Sequence, residues 1–105
     1  MNRESVDVVI FEKWNHNGLE EHGPGAMMFL DESACAREGV RAALLWLPGQ
    51  ESAGLIHFST DQGVANANRR TWFFDGNEAK PTFSPSIHHP DVWHGHLREG
   101  RLVSC

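Results

Sequence analysis

The apolar residues of this chain occur in short runs, and each run ends near a glycine, a proline or a polar cluster. The runs are SVDVVIF (5–11), AMMFL (26–30), VRAALLWL (40–47), LIHFST (55–60), TWFF (71–74), VWHGHL (92–97) and RLV (101–103). Short runs rich in β-branched and aromatic residues are typical of strands. The pattern predicts a mainly β protein, a small antiparallel sheet or partly open barrel with at most one short helix.

The strongest helix signal is DESACAREG (31–39), which has capping residues at its start and a glycine at its end. The next run, 40–47, could continue that helix, but Gly39 before it and Pro48-Gly49 after it favour a strand. Segments 13–25 and 61–70 are polar and rich in small residues, so we predict loops there.

Length and charge limit the class of protein. One hundred and five residues fit a single domain, 1–105. No apolar run approaches the length of a membrane span, and no signal peptide is recognisable, so we expect a cytoplasmic protein with no membrane partner. The net charge is −5 and the basic residues form no stripe, so we expect no nucleic-acid partner.

The last third of the chain carries most of the side chains capable of chemistry. Residues 72–105 hold four of the seven histidines. His94 and His96 are two apart in a predicted strand, so both point to the face opposite Trp93, Gly95 and Leu97. Together with His88, His89, His57 or Cys105 they could bind zinc, which accepts imidazole and thiolate ligands. The alternative is that these histidines make ordinary hydrogen bonds.

The serines of the segment PTFSPS invite a second interpretation. No G-x-S-x-G elbow surrounds Ser84 or Ser86. We therefore expect Thr82, Ser84 and Ser86 to bond their own backbone and hold the segment in shape, and not to act as nucleophiles. We also expect a core built from Trp72, Phe74, Phe83, Ile87, Trp93 and Leu97, with Trp46 beside them.

The blocks WFFDGNEAKPTFSPSI and WHGHLREGRL resemble a small uncharacterised family found in phages and prophages. Its members share the signature W-x-x-(D/N)-G-(N/D)-x-x-x-P-T-(F/L)-S-P-S-I, and some have been labelled ammonia monooxygenase. The likeness covers roughly residues 40–105, which would make 1–39 an extension specific to this protein. Members often carry upstream cysteine pairs that suggest zinc; this chain has His57 in a comparable strand instead.

The resemblance implies an accessory protein that acts by binding and not by turnover. Its partner would be a host or phage protein, and inhibition of a host defence system is one concrete form of that function. A zinc-dependent hydrolase using His88, His94 and His96 is an alternative, with no carboxylate at a motif-defined position for the general base. A virion accessory protein is a third. The oligomeric state stays open.

Overall fold

A single nine-stranded sheet dominates the computed structural model, which describes residues 5–30, 39–68 and 70–105. The strands are β1 (Ser5–Asp7), β2 (Val9–Ile10), β3 (Ala26–Phe29), β4 (Arg41–Leu45), β5 (Gly54–Ser59), β6 (Thr71–Phe74), β7 (Phe83–His89), β8 (Trp93–Arg98) and β9 (Arg101–Ser104). The predicted mainly β class is confirmed. The helix predicted at 31–39 lies almost entirely outside the described residues.

The sheet curls into a nearly closed barrel because one N-terminal segment pairs with both of its edges. The strand order is β1-β9-β8-β7-β6-β5-β4-β3-β2. β1 pairs antiparallel with β9, and β2, one residue further along the chain, pairs parallel with β3. Between them, the Val8 amide donates to the Gly100 carbonyl at 2.8 Å. The barrel thus covers the edges that would otherwise expose unpaired backbone groups.

Two short helices, α1 (His16–His22) and α2 (Gln62–Ala67), lie where the sequence predicted loops, so those two predictions were wrong. Each helix connects a pair of parallel strands, β2 to β3 and β5 to β6, and such pairs need a crossover. Capping by Asn15 and Asp61 and burial of Leu19 and Ala65 outweigh the weak helix propensity. Within the described ranges, no helix is long and apolar enough to span a membrane.

The barrel interior is filled by one apolar cluster with four phenylalanines at its centre. Phe29, Phe58, Phe74 and Phe83 pack with ring centroids 5.1–5.6 Å apart. The predicted core residues Phe74, Phe83, Ile87 and Leu97 are buried. Trp72 and Trp93 are only half-buried against this cluster.

A second, smaller cluster lies on the outer face of the barrel, beneath α1. Leu19, Ala26 and Met28 form its buried part. Trp46 packs here and not beside the barrel core, which corrects the prediction for that residue. The reason is strand alternation: Leu45 and Leu47 point into the barrel, so Trp46 between them points outward. Its indole donates to the Gln50 carbonyl at 2.9 Å.

Phe58→Ala should lower the free energy of unfolding by about 3–5 kcal/mol, because the fully buried ring contacts three other phenylalanines. Trp14→Ala is the matched control, since that side chain is 77% exposed, and its change should stay within about 0.5 kcal/mol. Urea unfolding of both variants provides the measurement. Equal stability of the two variants would contradict this description of the core.

Candidate functional site

The outer face of β7 and β8 carries the histidines that the sequence singled out. Gly95 and Leu97 are buried, whereas His94 is exposed and His96 half-buried. This alternation confirms that His94 and His96 share the outward face and that Leu97 belongs to the core. His88 on β7 lies directly opposite His94 in the ladder.

The pairing of β7 with β8 is irregular at the position of the serines. Phe83 pairs with Leu97 and Ile87 pairs with Gly95, so Ser84, Pro85 and Ser86 together lie opposite the single residue His96. Proline has no amide proton to donate to a ladder, so Pro85 suits such an interruption. Bulges of this kind re-aim side chains and are frequent beside active sites.

Next to this irregularity, the Ser86 hydroxyl lies beside the imidazole of His94. The distance from Ser86 Oγ to His94 Nε2 is 3.3 Å. Each backbone is also fixed: the Trp72 indole N–H donates to the Ser86 carbonyl at 3.3 Å, and the Cys105 amide donates to the His94 carbonyl at 2.9 Å. A serine hydroxyl and a histidine ring nitrogen are thereby held next to each other on neighbouring strands.

His88 packs against the other partner of this contact. The ring centroids of His88 and His94 are 4.8 Å apart, with an angle of 39° between the rings. The His88 ring therefore restricts the orientations open to the His94 imidazole.

Gly95 allows the strands beneath the site to approach closely. A Cβ at Gly95 would overlap the Val103 carbonyl oxygen on β9 and the Trp93 indole. Glycine at this position lets Trp93 fold over the strand, and it keeps β9 close enough to fix the backbone of His94.

The other predicted zinc ligands are spread over the barrel. His57 lies on β5, separated from β8 by β6 and β7. Cys105 is a free, exposed thiol at the end of β9, and the His89 ring lies 3.4 Å from the Pro90 carbonyl oxygen. In the part of the chain that the structure describes, no group of three or more His, Cys, Asp or Glu residues could hold a metal ion. Zinc binding stays a prediction.

The hydroxyl groups of the PTFSPS segment make different contacts from those expected. Thr82 Oγ1 accepts a hydrogen bond from the Glu99 amide at 2.8 Å and so ties β7 to the β8–β9 turn. Ser86 contacts His94. The predicted bonds of these two side chains to their own backbone were therefore wrong. In the sequence, the signals for the Ser86–His94 pair were the serine of one strand and the H-x-H pattern of the next. Only the pairing of the strands shows which of the three nearby histidines contacts the serine.

A serine hydroxyl beside a histidine ring nitrogen is one element of the arrangement found in serine hydrolases. The comparison with protein families agrees in class: residues 19–105 match the model described as "Bacterial ubiquitination-like system serine protease (BubE)". The chain belongs to this family, which connects it to a bacterial ubiquitination-like system. No curated protein and no solved structure matches the chain.

The range that matches the family model begins before residue 40. The resemblance to the phage and prophage family begins only at residue 40. Strands from both sides of that boundary, β3 and β4, pair in the same sheet. A division of the chain into an extension at 1–39 and a core at 40–105 stays a prediction.

Gly95→Ala should destabilise the fold by about 1–3 kcal/mol, because the added methyl group has no room between Trp93 and β9. His94→Ala serves as the control: it removes atoms from an exposed side chain and should leave stability close to that of the parent. Urea unfolding compares the two, and a Gly95→Ala variant as stable as the parent would show that the strands have more space than described.

The zinc prediction is tested by calorimetric titration of the parent and of the double variant His94→Ala/His96→Ala. If zinc binds through these imidazoles, the parent should release heat on titration and the double variant should not. Identical heats for the two proteins, or no heat from either, would remove the zinc hypothesis.

Proposed function

We propose that this protein is a serine peptidase in which Ser86 is the nucleophile and His94 the general base. The contact between Ser86 Oγ and His94 Nε2 is the observation that carries the proposal. Membership of a family described as a serine protease supports the same reaction class. The proposed substrate is a polypeptide of a bacterial ubiquitination-like system.

The chemistry follows from the tautomer in which His94 carries its proton on Nδ1, because Nε2 then accepts the hydrogen bond of the Ser86 hydroxyl. A distance of 3.3 Å is longer than the usual hydrogen bond of a hydroxyl, and catalytic hydrogen bonds often shorten when substrate binds.

Acyl transfer then proceeds in two steps. Ser86 Oγ attacks the substrate carbonyl carbon while His94 Nε2 takes the hydroxyl proton. When the tetrahedral intermediate collapses, the C–N bond breaks and the imidazolium gives its proton to the leaving amine. Water, deprotonated by the same imidazole, hydrolyses the acyl-serine, which releases the carboxylic acid and restores the hydroxyl.

The proposal revises the expectation that neither serine is a nucleophile. That expectation rested on the absence of a G-x-S-x-G elbow, which presents serine at a turn between a strand and a helix. Here the irregular β7–β8 pairing presents Ser86 instead. Serine–histidine arrangements recur on unrelated folds, so geometry is the better criterion.

A fluorophosphonate probe, with the labelled residue located by mass spectrometry, tests the assignment. The parent should be labelled at Ser86 and Ser86→Ala should not be labelled. His94→Ala should slow labelling by about 10²–10⁴-fold, because the general base is lost. Ser84→Ala is the matched control, since this exposed serine is two residues away, and it should be labelled like the parent.

Labelling of the parent at a residue other than Ser86, or unchanged labelling of Ser86→Ala, would overturn the proposal. His96→Ala separates the two histidines, because its imidazole shares the face but the contact with Ser86 Oγ belongs to His94. Peptide hydrolysis that requires zinc and stops with a chelator, in a protein with no labelled serine, would instead favour the zinc-dependent hydrolase.

The resemblance to the phage and prophage family supports a rival proposal, a binding protein that engages a host or phage protein and inhibits a defence system. A virion accessory protein is the other form of this rival. Neither needs a reactive serine. The binding-protein proposal would be favoured if the probe does not label the parent and if the parent and Ser86→Ala bind a partner equally well.

A further inference from the structure

A small cavity has in its lining His88, the residue whose ring packs on the His94 ring of the proposed pair. Its volume is about 130 Å³. The walls are mainly the apolar side chains Leu45, Leu55, Ile56, Trp72 and Ile87, and His88 forms part of the rim. The lining contains no Asp, Glu, Lys or Arg among the residues that the structure describes.

Three of the wall residues connect the cavity to the proposed catalytic pair. The His88 ring packs on the His94 ring, and the Trp72 indole donates to the Ser86 carbonyl. Ile87 is the next residue after Ser86 in β7. Ser86 and His88 are two apart in a strand, so their Cα atoms are about 7 Å apart. An extended polypeptide covers that distance in about two residues.

We propose that this cavity is a specificity subsite that takes one apolar side chain of the substrate, within two residues of the bond cleaved. The inference rests on the proposed peptidase function and adds the substrate class. A cavity of about 150 Å³ with leucine, isoleucine and phenylalanine walls can hold benzene in another protein. The present volume therefore fits a leucine, methionine or phenylalanine side chain.

Charged side chains are excluded by the same walls. A carboxylate or ammonium group that enters an apolar cavity loses its hydration and finds no opposite charge among the described lining residues. When a substrate side chain lacks one methylene group that a hydrophobic pocket can hold, its kcat/KM falls by about 10-fold or more. Alanine should therefore be accepted at least about 10-fold less well than leucine at this position.

Digestion of a synthetic peptide library, with each cut located by mass spectrometry, tests the subsite on whichever side of the bond it lies. Leucine, methionine and phenylalanine should be enriched at one position within two residues of the cut, and aspartate and lysine should be depleted there. Absence of an apolar preference at every one of these positions would overturn the inference.

Leu55→Asp gives the sharper comparison, because Leu55 is 54% exposed at the rim and a carboxylate there is compatible with folding. The variant should lose the preference for leucine by about 10-fold or more and should favour lysine or arginine at the same position. Val9→Asp is the matched control: Val9 is 40% exposed on β2, outside the cavity lining, and the variant should keep the preference of the parent.

The rate of peptide cleavage by each variant is divided by the rate at which the probe labels Ser86 in the same variant. This ratio separates the subsite proposal from the peptidase proposal. Normal Ser86 labelling with an unaltered leucine preference in Leu55→Asp would overturn the subsite alone. A parent protein with no labelled Ser86 would overturn the peptidase proposal and with it the subsite.

Discussion

The pairing of β7 with β8 is the constraint on which the candidate site depends. Ile87 opposite Gly95 and Phe83 opposite Leu97 fix which side chains enter the barrel. Three residues of β7, Ser84 to Ser86, lie opposite one residue of β8. The regular pairing that follows places His88 opposite His94, so Ser86 lies diagonal to His94 on the outer face and its hydroxyl is within 3.3 Å of Nε2.

The barrel makes this irregularity tolerable because the surrounding structure holds both strands. Buried Phe83, Ile87 and Leu97 anchor β7 and β8 on the inner side. The Trp72 indole and the Cys105 amide donate hydrogen bonds to the carbonyl groups of Ser86 and His94, respectively. A functional pair has to be held within a fraction of an ångström, and strands of a packed sheet hold it better than a free loop does.

Much of the fold could be predicted from local patterns. The strand at 92–97, its hairpin with 101–104 and the outward direction of His94 and His96 follow from alternation and from Gly100, and the structure confirms them. The helices α1 and α2 could not be predicted, since their sequences HNGLEEH and QGVANA are poor helix formers that depend on caps and tertiary packing. Trp46 was assigned to the wrong cluster because burial of a residue depends on its neighbours in space.

The site was predictable in part. The H-x-H pattern led to the strand that carries His94 of the candidate pair, and it also led to a zinc hypothesis that stays a prediction. Selection of Ser86 depends on the register between β7 and β8, which is a property of strand pairing and cannot be read from local periodicity.

The most direct measurement is a crystal structure of the protein after reaction with a serine-directed phosphonate. If Ser86 is the nucleophile and His94 the general base, phosphorus should be bound covalently to Ser86 Oγ, with His94 Nε2 within hydrogen-bond distance of that oxygen. Phosphorus bound to another residue, or a Ser86 adduct with the His94 imidazole turned away and a different group beside the oxygen, would contradict it.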